Sequence, residues 1–183
     1  MELFAAGLYE NPVAETTKLR VLNLRNNKIL KEGAKLLAPA LAGNKTLEVL
    51  DLSECKIGVS GTAAIAEALM KNNTLKTLNL YRNRIDVDGA RAIRELLKCN
   101  TTLEFLDVGY NRLRQKGIMA ITDGICENVE GSKIKHLGVR FNFIKDEGFA
   151  YLFDKAILKE KSKIEYIYTM QNYMSEHFTL DLY

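Results

Sequence analysis

The chain is 183 residues long, 47% hydrophobic and 27% charged, with a net charge of +3. That is one domain's worth of ordinary globular composition, and the charge is too small to imply nucleic-acid binding by itself. Three cysteines, Cys55, Cys99 and Cys126, are an odd number without framework spacing, which favours reduced thiols in a cytosolic or nuclear setting.

Met1–Glu10 has no basic segment leading into an apolar run, so it does not read as a signal peptide, and no stretch approaches membrane-spanning length. Its Leu3, Phe4, Ala5, Ala6 and Leu8 resemble the helical half of a repeat without a strand. Residues 1–18 are thus either a half-repeat cap or a cut edge, and the two stay open. From Leu19 a phrase recurs, most cleanly as Leu75-x-x-Leu78-x-Leu80-x-x-Asn83-x-Ile85. Its copies start at Leu19, Leu47, Leu75, Leu103, Ile134 and Ile164, at intervals of 28, 28, 28, 31 and 30 residues. A fixed period of that size marks a solenoid of about six units, here residues 19–174 of one continuous domain spanning 1–183.

Within each unit, alternating apolar residues such as Leu22 and Leu24 predict a strand with one buried face. The polar residue that follows (Asn27, Cys55, Asn83, Asn111, Asn142, Asn172) is placed to satisfy backbone groups of the turn, forming an asparagine ladder. Cys55 substitutes as a small, buried, weak donor and is expected to be inert. Gly33, Gly61, Gly89, Gly117 and Gly148 recur in step and open helices with apolar stripes such as Ile93, Leu96 and Leu97. Pro39 inside the first helical stretch predicts a kink or a shortened helix. Asn44, Asn72 and Asn100, with Thr two residues on, read formally as glycosylation sequons, but their periodic place predicts left-handed helix ends without glycans. The extra length of the fourth unit falls in 127–133, a surface loop. The tail 175–183 is too short for a capping helix. Both ends therefore look thin, as in a piece of a larger repeat domain or a chain that leans on a partner.

The 28-residue period, the helix in every unit and phrases such as Leu75-Lys-Thr-Leu-Asn-Leu-Tyr-Arg-Asn-Arg-Ile85 resemble the ribonuclease-inhibitor-like leucine-rich repeats. The resemblance covers about Leu19 to Met174. It extends to the repeat domains of NOD-like receptors and of the Ran GTPase-activating protein, and tropomodulin-type capping domains belong to the same class. It implies an α/β horseshoe with a parallel β-sheet on the concave face, helices on the convex face, and protein ligands on the concave face or its rims. Ribonuclease inhibitor itself is cysteine-rich and acidic, unlike this chain, and the acidic tail of the Ran activator has no counterpart in Thr179–Tyr183. No catalytic arginine motif carries over.

In the strand register, three solvent-facing columns follow: Val21, Val49, Thr77, Phe105, His136, Tyr166; then Asn23, Asp51, Asn79, Asp107, Gly138, Tyr168; then Arg25, Ser53, Tyr81, Gly109, Arg140, Met170. At ~4.8 Å per strand the sheet is roughly 24 Å across. Tyr81, Phe105, Tyr110, Phe141, Tyr166 and Tyr168, with His136 and Arg140, gather toward its C-terminal half, the usual makings of an interface hot spot. A second candidate is a basic rim, Lys28, Lys56, Arg84 and Arg112, which becomes aromatic at Phe143 and Tyr173. Nothing supports catalysis, a cofactor or a metal site. The two histidines, His136 and His177, lack ligand spacing, and there is no phosphate loop and no nucleophile with a base. The expected function is a non-enzymatic protein-interaction module, without nucleic acid or membrane. A GTPase regulator using Arg82 or Arg84 and a fragment of a NOD-like sensor are the alternatives.

Overall fold

The computed structural model describes residues 18–128, 131–159 and 162–175. Six three-residue strands form one parallel sheet in sequence order: β1 (Val21–Asn23), β2 (Val49–Asp51), β3 (Thr77–Asn79), β4 (Phe105–Asp107), β5 (His136–Gly138) and β6 (Tyr166–Tyr168). Between them run α1 (Leu30–Gly43), α2 (Gly58–Leu69), α3 (Val87–Cys99), α4 (Arg114–Cys126) and α5 (Asp146–Leu152), the last continuing into a π-helical turn, Phe153–Leu158. Each helix packs on the next. Helices sit 8–10 Å apart and strands about 4.8 Å, so stacking both in step bends the solenoid with the sheet inside. The expected cap at residues 1–17 and most of the tail lie outside the described residues. No described helix is long and apolar enough to cross a membrane.

The core is a file of Leu, Ile and Val repeated from unit to unit, among them Leu50, Leu78, Leu106 and Leu137, all essentially inaccessible. The recurring glycines fit against the residue that opens each helix. A Cβ on Gly89 would lie 2.6 Å from Ile85 Cγ2, and one on Gly148 would lie 2.7 Å from Ile144 Cγ2. Their smallness therefore serves the turn before the helix.

The asparagine ladder extends between repeats. Asn111 accepts from the backbone N–H groups of Asn83 and Ile85, both at 2.9 Å, and donates to the carbonyls of Leu80, Val108 and Gly109. Asn83 does the same for Cys55 and Ile57. Cys55 donates its thiol to Leu24 O at 3.1 Å, and the backbone N–H groups of Asn27 and Asn26 in the unit before it donate to its sulfur. Burial, chiefly, pushes that thiol up from its ordinary value.

Two expectations are corrected. Pro39 does not shorten its helix: α1 runs through it for 14 residues. Pro39 and Lys35, whose carbonyl loses its helical partner, are both on the exposed side, where water can serve that carbonyl. Nor do Asn44 and Asn100 end helices in the left-handed conformation; their backbones are extended, with φ −69° and −78°. They form a second amide ladder with Asn72 and Asn128. Asn72 accepts from Thr74 and Leu75 N–H while donating to Leu41 O and Asn44 O of the preceding unit, and Asn100 and Asn128 repeat the donation one unit on. The ends of α1, α2 and α3 are thus closed by the following repeat, which replaces a glycine cap.

On the convex side Asp123 of α4 accepts from Tyr151 Oη at 2.6 Å and Lys155 Nζ at 2.5 Å, tying α4 to the last helical segment. Burial pushes the Asp123 carboxyl up, but the two hydrogen bonds outweigh it and hold it below the usual carboxylate range. The same contacts raise Lys155, led by its bond to Asp123.

Candidate protein-binding site

Each of the first four strands, β1 to β4, ends at a side chain that turns the chain. Asn23, Asp51, Asn79 and Asp107 accept from the backbone N–H two residues on, at 2.7–2.9 Å, an Asx turn that bends the chain away from the sheet. The next bend places Asn26, Glu54, Arg82, Tyr110, Phe141 and Gln171 at positive φ, one in every unit. These turns carry Tyr110 and Phe141 of the aromatic patch and lead into the basic rim.

Strand pairing confirms the register of the first two columns. Four positions expected to face solvent do not: Ser53 and Asp107 are 1% and 4% exposed, and Gly109 and Gly138 are buried. Side chains from neighbouring units cover Asp107, Gly109 and Gly138. The Asp107 carboxylate lies over Gly138, where a Cβ would come within 2.6 Å of Oδ1, and the Tyr81 ring lies over Gly109. Asp107 also takes an ion pair from Arg140 at 2.8 Å, and that guanidinium sits 5.6 Å from the centre of the Tyr81 ring.

The eight candidate residues form two groups. Phe105, His136, Tyr166 and Tyr168 stack across β4, β5 and β6, with His136 parallel to Tyr166 at 4.7 Å and 5.8 Å from Phe105. Tyr81, Tyr110 and Phe141 form a second row at 5.7 and 5.1 Å, joined to Arg140 through Tyr81. Tyr110, Phe141, Tyr166 and Tyr168 are exposed; the other four are half-buried by their neighbours. The sequence reading left out Met170, the most exposed large apolar side chain at 70%, although its column position was marked. Arg82, named from the sequence only for the GTPase-regulator alternative, lies 4.9 Å over the Tyr110 ring and pairs with Glu54.

Lys28, Lys56, Arg84 and Arg112 stand exposed along the rim, and Phe143 and Tyr173 continue it with rings 5.7 Å apart. Lys56, Arg84, Arg112 and the two rings line an open cleft of about 770 Å³; Lys28 lies outside it. Among the described residues no group of three or more His, Cys, Asp or Glu is placed to hold a metal.

Comparison with known proteins agrees with this geometry. Residues 16–38, 43–66, 71–93 and 99–121 match the family model described as Leucine Rich repeat. No curated protein sequence matches significantly. Among solved structures, the chain is similar to leiomodin-1 actin-binding site 2, with TM-score 0.61 and 24% identity over 81% of this chain and 87% of that one. It is also similar to the tropomodulin C-terminal domain of Caenorhabditis elegans, with TM-score 0.62 and 20% identity over 87% and 96%. At those identities the likeness is one of fold. Four matched units, each containing one of the strands β1 to β4, place the chain in the leucine-rich repeat family.

Proposed function

We propose that this chain is a non-enzymatic protein-interaction module whose partner docks on the C-terminal half of the concave face. The observation that carries the reading is the stacked row Phe105–His136–Tyr166 with Tyr168, beside Tyr81, Tyr110, Phe141 and Arg140. Aromatic and arginine side chains held on a rigid sheet contribute large contact area at little cost in conformational entropy. The repeat family and a structural neighbour titled an actin-binding site support a protein as the ligand. The three cysteines, none in a disulfide, suit a reducing, cytosolic setting.

The test is partner capture from the source-cell lysate by wild type and by the double variant Phe105→Ala/Tyr166→Ala. Truncating two anchors of this kind weakens binding by about 30-fold or more, while the unfolding midpoint moves little because neither ring is in the core. A partner retained at full strength by the folded double variant would remove the concave face as the contact.

A further inference from the structure

The concave reading leaves the basic rim unexplained, and the two rims of the sheet differ in a telling way. On the rim before the strands the residues read Arg20, Glu48, Lys76, Glu104, Lys135, Glu165, with charges alternating from unit to unit. Glu48 pairs with both Arg20, at 3.1 Å, and Lys76, at 2.9 Å, and Lys135 reaches Glu165. Within that file the alternating charges offset one another. On the rim after the strands, Lys56, Arg84 and Arg112 belong to no ion pair among the described residues. The nearby acids are committed elsewhere: Glu54 to Arg25 and Arg82, Asp88 to Arg91, and Asp86 to the backbone N–H groups that open α3. Three uncompensated cations therefore line a cleft whose far end is walled by Phe143 and Tyr173.

We propose that this cleft binds an extended acidic segment of a partner protein, with carboxylates over Lys56, Arg84 and Arg112 and one apolar side chain against Phe143 and Tyr173. The proposal rests on the reading of the chain as a protein-binding module and adds a second contact to it. Its dimensions follow from the repeat. From the second unit to the sixth there are four strand intervals, ~19 Å, which about six extended residues span. The three cations cover two intervals, ~10 Å, so about three successive acidic residues match them, and the apolar residue falls two or three positions further on.

The probe is a fluorescein-labelled peptide of three glutamates, two glycines and a phenylalanine, titrated by anisotropy. Binding is expected to saturate and to weaken with salt. Arg84→Glu/Arg112→Glu should weaken it by about tenfold or more, the combined effect of two partly exposed ion pairs. Arg112→Lys, which keeps the charge, should bind nearly as wild type. Phe143→Ala should weaken the phenylalanine-ended probe and leave a glycine-ended one unchanged. The proposal is overturned by no binding, by indifference to the charge reversals in a folded variant, or by tighter binding of an oligothymidylate of equal length. Phe105→Ala/Tyr166→Ala should leave the probe's affinity unchanged. If the probe fails while partner capture still depends on Phe105 and Tyr166, the rim assignment falls and the concave reading stands.

Discussion

Replacing Asn111 by alanine should cost more than any substitution on either candidate surface. The side chain is 3% exposed and makes five hydrogen bonds, all to backbone. Two of its acceptors keep other partners, because Val108 O also receives Asn142 Nδ2 and Gly109 O receives the Arg82 N–H. That leaves the N–H groups of Asn83 and Ile85 and the carbonyl of Leu80 without their side-chain partner. At about 1–1.5 kcal/mol for each buried unpaired group, the loss comes to about 3–5 kcal/mol. Equilibrium unfolding in urea, followed by circular dichroism, measures it. Asn111→Cys should fall between alanine and wild type, since sulfur, as at Cys55, donates and accepts in place of the amide but more weakly. A loss below about 1 kcal/mol for Asn111→Ala would refute the view that the ladder couples adjacent repeats.

Other substitutions probe other contacts. Cys55→Asn should stabilise the chain by about 1 kcal/mol by replacing a weak sulfur donor and acceptor with an amide, and a lower unfolding midpoint would show that the buried slot is too tight for it. Gly124→Ala should destabilise by about 1–3 kcal/mol, because the new Cβ would lie 2.7 Å from the Arg94 carbonyl oxygen, a backbone atom of α3 that cannot swing aside. Asp123 binds its proton more weakly in the folded chain than in the unfolded one. Its contribution is complete above the ordinary carboxylate value of 3.8 and is lost as pH falls through the lowered native value. Acid titration of stability should therefore be flatter in Asp123→Asn than in wild type over that window, and identical profiles would dissociate the brace from the pH dependence.

The fold was legible because a short phrase repeats. Any one copy, such as Leu103 to Leu113, is ambiguous alone, but five others at the same spacing set strand, turn and helix together. The first ladder could be read from the same register. The second showed only in part: Asn128 keeps the 28-residue spacing of Asn44, Asn72 and Asn100, but the inserted loop follows it and the Thr two residues on is replaced by Glu130. The candidate site was legible as columns but not as surfaces. Period-two alternation says which way Asp107 points from its own strand, yet its burial comes from Arg140 and Tyr81 on other strands, and from a glycine at 138 that gives it room. The paired rim is written in the sequence as Arg20, Glu48, Lys76 and Glu104, one position after each repeat start, where charge alternates between units rather than within one.

The direction of the amide ladders has a consequence for synthesis. The asparagine of one unit completes the backbone of the unit before it, through bonds such as Asn83 to the Cys55 N–H and Asn100 to Leu69 O. A repeat leaving the ribosome is therefore unfinished until the matching amide of its successor emerges, one period of 28 residues later. At about 5–20 residues per second, that delay is roughly 1.5–6 s for every unit. During each such interval the newest layer has its leucines in place but its turn and helix end still open, so the growing chain always carries one immature repeat at its leading edge.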